Sequence, residues 1–219
     1  MNISNALRLV LQRPSELFAT KKVLTIIFDA AHGEDVPGKR SPDGKFREYA
    51  WSRMMIDKIM PRVAERGYSV RETNTTDKEI GLSRRKNIAD AFEGQNKVLL
   101  SIHNNAAGNG STWMNASGIE FFTTKGQTGS DVFAECLYKA FAEKFPNIKM
   151  RVDKTDGDSD KESNFTVLMG SSYFAVLAEI LFQDSKEDVA KLTDDAWCER
   201  CADAFIEGIE FFNYIIQNS

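Results

Sequence analysis

Runs of apolar residues alternate with helical stripes along the chain. VLTIIFD, residues 23–29, is β-branched and continuously apolar, the pattern of a strand buried on both faces. A loop rich in glycine, proline and charge follows, AHGEDVPGKRSPDGK. Next comes a helical stretch over about residues 46–66, with Met55, Ile56, Ile59 and Val63 on one stripe. Pro61 lies inside that stretch and is expected to kink or shorten it. Gly67 suits a C-cap, and YSVRET reads as a second strand. Residues 82–92 read as a helix, KVLLSIH as a strand ending at His103, IEFFTT as a strand, and residues 130–145 as a long amphipathic helix. The segment 148–164 crowds Asp, Lys and Ser and reads mainly as loop. FTVLM and FAVLAEIL read as strands, and helices close the chain from about residue 186.

Strands alternating with helices predict an α/β fold: a single domain with a mostly parallel central sheet flanked by helices. A length of 219 residues suits one domain with a real core, and no repeat or linker divides it. The first twenty residues carry a short apolar patch interrupted by Arg8, without a basic start or a small-residue cleavage site. They read as a short N-terminal helix and not as a signal peptide. No stretch of about 18 apolar residues exists, so no membrane span is expected. The net charge of −4 gives no reason to expect nucleic acid, whose binding normally needs a basic face.

Three cysteines, an odd number, argue against a disulfide framework. Cys198 and Cys201 form a CxxC inside a helical run, with no second Cys or His pair nearby to complete a structural zinc site. Spacing of three puts both thiols on one helix face, where they read as small buried hydrophobes.

The chain has two histidines, His32 and His103, each just beyond or at the end of a predicted strand. Open α/β sheets gather their functional loops at such ends, so the two loops are expected side by side. A hydrolytic zinc site needs a third protein ligand and one open position. The acidic candidates near His32 are Glu34, Asp35, Asp43 and Glu48, and spacing alone leaves the choice open. Glu48 has the advantage of a rigid helix start, although the helix dipole favours an acid there in any case. Glu179, inside the apolar run FAVLAEILF, is costly to bury unless paired, protonated or functional. Such surroundings raise a carboxyl pKa toward the range of a general base; a strand-end Glu reaching solvent is the plain alternative.

His32 in FDAAHG, Glu48 in FREYAW, His103 in SIHNNA and Glu179 in VLAEILFQDS resemble, in order, four motifs of the zinc-dependent N-acetylmuramoyl-L-alanine amidases. The loop GKRSPDGKFREY looks like that of the phage and prophage endolysin members. Arg84 with Asn87, Ile88 and Ala89 resembles the family's arginine helix, and SGIEFF, ESNFTVL and ADAFIEGIEFF fall where later landmarks are expected. The resemblance spans roughly residues 22–216. It implies a zinc amidase catalytic domain over 22–219 behind an N-terminal extension at 1–21, with Zn²⁺ held by His32, Glu48 and His103. It implies Glu179 as catalytic base and peptidoglycan, at N-acetylmuramic acid and its stem peptide, as the partner cleaved. Asp29 and Asn105 are candidates to orient a ligating imidazole. Without a signal peptide, such an enzyme is expected to be cytoplasmic on synthesis and to reach the cell wall after release. A zinc amidohydrolase of soluble muropeptides or another amide, a non-catalytic wall-binding domain, and a plain α/β structural domain with incidental histidines are the competing readings. Departures from the family pattern are Glu34 and Leu181, both where glycine is usual, Tyr173-Phe174 where proline is common, and Asp184-Ser185 near the usual Ser-Asn.

Overall fold

The computed structural model describes residues 21–218 apart from Asp156. The helix expected within the first twenty residues lies outside the described residues. Among these, six strands form one sheet: β1 (Thr25–Ala30), β2 (Ser69–Glu72), β3 (Lys97–Asn105), β4 (Ile119–Thr123), β5 (Lys161–Glu162) and β6 (Phe174–Phe182). Their spatial order is β2-β1-β3-β6-β4-β5. β1, β2, β3 and β6 run parallel, whereas β4 runs antiparallel to β6 and pairs in parallel with the short β5. The helices are α1 (Glu48–Glu65), α2 (Leu82–Ala91), α3 (Gly129–Lys144), α4 (Lys186–Leu192) and α5 (Asp195–Gln217). The fold is therefore α/β in a single domain, with a mixed, mostly parallel sheet.

The pleat explains the continuous apolar runs, because successive side chains enter different cores. Ile26, Phe28, Val98, Leu100, Val176 and Ala178 face the larger core, packed by α1, α3 and α5. Ile27, Leu99, Ala175 and Leu177 face a smaller core with Ala89 of α2. Met55, Ile56, Ile59 and Val63 of α1 are all buried in the larger core, as their spacing predicts. α1 continues through Pro61, which lies near its C-terminal end. α3 opens with a capping box between Thr128 and Asp131.

FTVLM does not form a strand. It makes a 3₁₀ turn at Thr166–Leu168, with Val167 and Leu168 buried in the smaller core. The Val167 carbonyl accepts a hydrogen bond from the Tyr173 hydroxyl at 2.8 Å instead of joining a ladder. The apolarity of this segment thus reflects burial as a turn against the sheet, which a short apolar run does not distinguish from a strand. The polar stretch before it is mostly loop, ordered by the short β5 and by a parallel bridge between Met150 and Ile119. Cys136, Cys198 and Cys201 are free and buried, and burial pushes the Cys201 thiol well above its ordinary value. Among the described residues no helix is long and apolar enough to cross a membrane.

Candidate active site

The C-terminal ends of β1, β3 and β6 meet at one edge of the sheet, and three of the four sequence candidates come from them. His32 follows β1 by two residues and adopts a left-handed backbone, φ +48°. A non-glycine residue there carries strain and needs holding. Two guanidinium groups supply it: Arg85 Nη2 and Arg53 Nη2 donate to the His32 carbonyl at 2.9 Å and 3.0 Å. Gly33 comes next because the chain passes so close to its neighbour that a Cβ would lie 2.0 Å from the Glu79 amide nitrogen.

Glu48 opens α1 and is 1% exposed. Its Oε1 lies 3.0 Å from His103 Nδ1 and 3.4 Å from His32 Nε2. The two imidazoles meet edge to face at 5.1 Å. The Asn104 amide donates to Glu48 Oε1 at 3.2 Å and Gln183 Nε2 donates to Oε2 at 3.0 Å. Burial alone would raise the Glu48 pKa, but the hydrogen bonds and charge of the two histidines hold it well below the carboxylate range. For His103 burial acts downward and Glu48 more than offsets it, so its pKa is raised.

One donor atom from each of His32, Glu48 and His103 falls within 4.8 Å of the other two. The spacings of 3.0 and 3.4 Å at Glu48 Oε1 match the edge of about 3.3 Å in a tetrahedron with bonds of about 2.0–2.1 Å. Two imidazoles and one carboxylate facing a cavity are also the donor set of a hydrolytic zinc site with one position open. The other acids that sequence left in contention point elsewhere. Glu34 pairs with Lys78 at 2.6 Å on the surface, Asp35 accepts from the Glu79 amide at 2.9 Å, and Asp43 accepts from the Ser41 hydroxyl at 2.6 Å.

Glu179 is the partner of His103 in the parallel β3–β6 register and of Glu120 in the antiparallel β4–β6 register. Its Oε2 is buried and has no hydrogen-bond partner. Burial pushes its carboxyl up to about 8; His103 opposes this, and Glu48 and Glu120 add to it. Glu120 is itself held by Arg151 at 2.9 Å, by Lys161 and by the Asn105 side chain. A cavity of about 300 Å³ touches all four of His32, Glu48, His103 and Glu179, with Lys39 at its edge and Leu82, Val167 and Leu177 among its apolar walls.

Asp29 and Asn105 do not touch the imidazoles. Asp29 accepts from Ser101 Oγ at 2.7 Å, from Arg85 at 3.4 Å and from Thr73, while Asn105 turns to Glu120. The side chains that brace the cluster are instead Gln183, Arg53 and Arg85. Arg84, singled out by resemblance, is exposed, and its neighbour Arg85 is the buried one. Asp184 holds the loop after His103, accepting from the Ala107 and Gly108 amides at 2.9 Å and 2.8 Å.

Residues 26–211 match the family model described as N-acetylmuramoyl-L-alanine amidase. No curated protein matches the chain. Among solved structures, an N-acetylmuramoyl-L-alanine amidase from Clostridium difficile 630 superposes with a TM-score of 0.74 at 24% identity, covering 86% of this chain and 96% of that one. The CwlD amidase from Clostridioides difficile, solved in complex with the GerS lipoprotein, gives 0.72 at 24% identity over 88% and 98%. An N-acetylmuramyl-L-alanine amidase from Mycobacterium smegmatis gives 0.73 at 15% identity over 88% and 99%. At these identities the structures speak for the fold.

Proposed function

The chain belongs to the N-acetylmuramoyl-L-alanine amidase family, which hydrolyses the amide between N-acetylmuramic acid and L-alanine in peptidoglycan, and from that premise we propose that it does so with zinc held by His32, Glu48 and His103 and with Glu179 as base. The observation that carries the proposal is the convergence of two imidazoles and a buried carboxylate on one cavity, with an unpartnered buried carboxyl oxygen of Glu179 lining it.

Bound there, Zn²⁺ supplies Lewis acidity, lowering the pKa of water toward about 7 and polarising the amide carbonyl. The remaining work falls to the chain. Glu179 takes the proton from the attacking water and returns it to the nitrogen of the departing L-alanine. Its raised affinity for a proton suits a group that must hold one between the two transfers. Gln183 and the Asn104 amide fix the Glu48 carboxylate, so that its oxygens do not swing away from the histidines. Arg53 and Arg85 hold the His32 backbone in its left-handed conformation and so aim the imidazole. Water is the nucleophile, and no covalent enzyme intermediate is required.

Metal analysis coupled to digestion tests this reading. The wild-type chain is expected to hold one zinc and to release stem peptides beginning at L-alanine from purified sacculi, leaving glycan strands intact. His103→Ala is expected to lose the zinc. Equal zinc occupancy in that variant would remove the assigned ligand set.

A further inference from the structure

We propose that Asp131, Asp158 and Asp160 form a calcium site that shares no residue with the His32, Glu48 and His103 cluster. The three carboxylates come together from the first turn of α3 and from the loop before β5, and each offers an oxygen within 4.8 Å of the others. They are buried, at 1%, 4% and 3% exposure. Thr123 on β4 donates to Asp160 Oδ2 at 2.6 Å and lies 3.2 Å from Asp131 Oδ1, and Gln127 donates to Asp158 Oδ2 at 2.7 Å. Asp131 Oδ2 accepts from the Thr128 amide.

Those bonds leave Asp158 Oδ1 and Asp160 Oδ1 buried without a donor from any other residue, the two carboxyls facing each other. This second observation separates the cluster from a hydrogen-bonded acidic patch, in which every oxygen finds a donor. Among the described residues no lysine or arginine forms an ion pair with any of the three; Lys161, beside Asp160 in the chain, pairs with Glu120 instead. Three buried carboxylates without a basic partner require either a cation or a shared proton. The donors are all oxygen, with no nitrogen or sulfur ligand, which selects a hard cation over zinc. Calcium accepts several carboxylates directly at about 2.3–2.6 Å, whereas magnesium keeps most of its water.

The position gives such an ion a task. The Ser163 amide bonds to the Thr123 carbonyl at 2.8 Å, just after the acidic loop, and the chain then runs into Phe165, Thr166 and Val167 on the wall of the catalytic cavity. Calcium would fasten that wall to the sheet edge and to the start of α3.

Calorimetric titration of the zinc-loaded full chain with calcium chloride, with thermal unfolding alongside, tests the site. The wild type is expected to bind one calcium saturably and to gain about 5–10 °C in Tm at a hundredfold excess over Kd. Asp158→Asn with Asp160→Asn is expected to lose both effects and, calcium-free, to melt no lower than the calcium-free wild type, because the carboxylate repulsion is gone. His103→Ala is expected to keep the calcium response. If the double variant does not fold, Asp158→Asn alone carries the comparison, with calcium affinity reduced at least tenfold. No saturable calcium binding by the wild type, or unchanged binding by the Asn variants, overturns the proposal.

Discussion

His103 and Glu179 are paired residues of adjacent parallel strands, so the β3–β6 register sets the imidazole that meets Glu48 and a carboxyl with an unpartnered buried oxygen side by side. Immediately beyond that pair the register slips, with Asn105 opposite Phe182. The irregularity lets β6 turn Gln183 back toward Glu48, where its amide meets Oε2 at 3.0 Å.

That bond predicts the behaviour of Gln183→Leu. Glu48 would lose its Oε2 donor while keeping the histidines, so zinc affinity should fall about 10–100-fold, as for other residues that orient a ligand. Competition with a chromophoric chelator reads this out directly. An affinity within a factor of two of wild type would show that Glu48 needs no such support.

Arg85 is expected to matter for stability as well as for aim. It is 1% exposed, bonds the Ala30 and His32 carbonyls, and faces both Asp29 and Glu79. Arg85→Ala leaves the buried Asp29 carboxylate with hydroxyl donors but no cationic partner and should cost about 3–5 kcal/mol in denaturant unfolding, the range for breaking a buried pair. Arg53→Ala, at a more open position, should cost less while still weakening zinc binding through His32.

The resemblance sets Leu181 against a usual glycine, and the backbone at this position is one that glycine adopts without strain: φ is +59°. Two effects of opposite sign follow for Leu181→Gly. Relief of the left-handed backbone is worth about 1–2 kcal/mol, whereas loss of a fully buried leucine costs about 2–5 kcal/mol. The second is larger, so this variant should be less stable than wild type despite restoring the family residue. A raised denaturation midpoint would reverse that ranking.

The acidic cluster predicts a pH dependence of opposite slope to that of most carboxylates. Burial and the facing Asp158 push Asp160 up to about 8, against an ordinary 3.8. A carboxyl that holds its proton more tightly when folded stabilises the fold fully below its unfolded pKa and loses that contribution as pH rises through the folded one. In calcium-free protein the Tm of wild type relative to Asp160→Asn should therefore decline between about pH 4 and pH 8. Saturating calcium should remove the decline. A difference that stays flat without calcium would place the Asp160 pKa near its ordinary value.

Much of this arrangement is legible in the sequence because it rests on local pattern. VLTIIFD and KVLLSIH give strands whose ends carry His32 and His103, and Met55, Ile56, Ile59 and Val63 give the helix that presents Glu48. The choice among Glu34, Asp35, Asp43 and Glu48 is not legible from spacing, because it depends on how the loop over residues 31–47 folds back over the sheet edge; the resemblance is what points to Glu48. Gln183, Arg53 and Arg85 escape sequence reading for a related reason, since their contacts join residues far apart in the chain. FTVLM misleads because burial in a 3₁₀ turn and burial in a strand demand the same residues. The acidic segment reads mainly as loop from its composition, and only the tertiary fold brings Asp158 and Asp160 inward against Asp131.

The central claim concerns Glu179, and one comparison tests it most directly. Wild type and Glu179→Gln, both at full zinc occupancy, would be given purified sacculi, and release of stem peptides beginning at L-alanine would be followed by mass spectrometry. The account predicts unchanged zinc content and a loss of about 10²–10⁴ in rate for the variant, the range for removing a general acid–base group. A metal-replete Glu179→Gln that cleaves the same bond at near wild-type rate would contradict it.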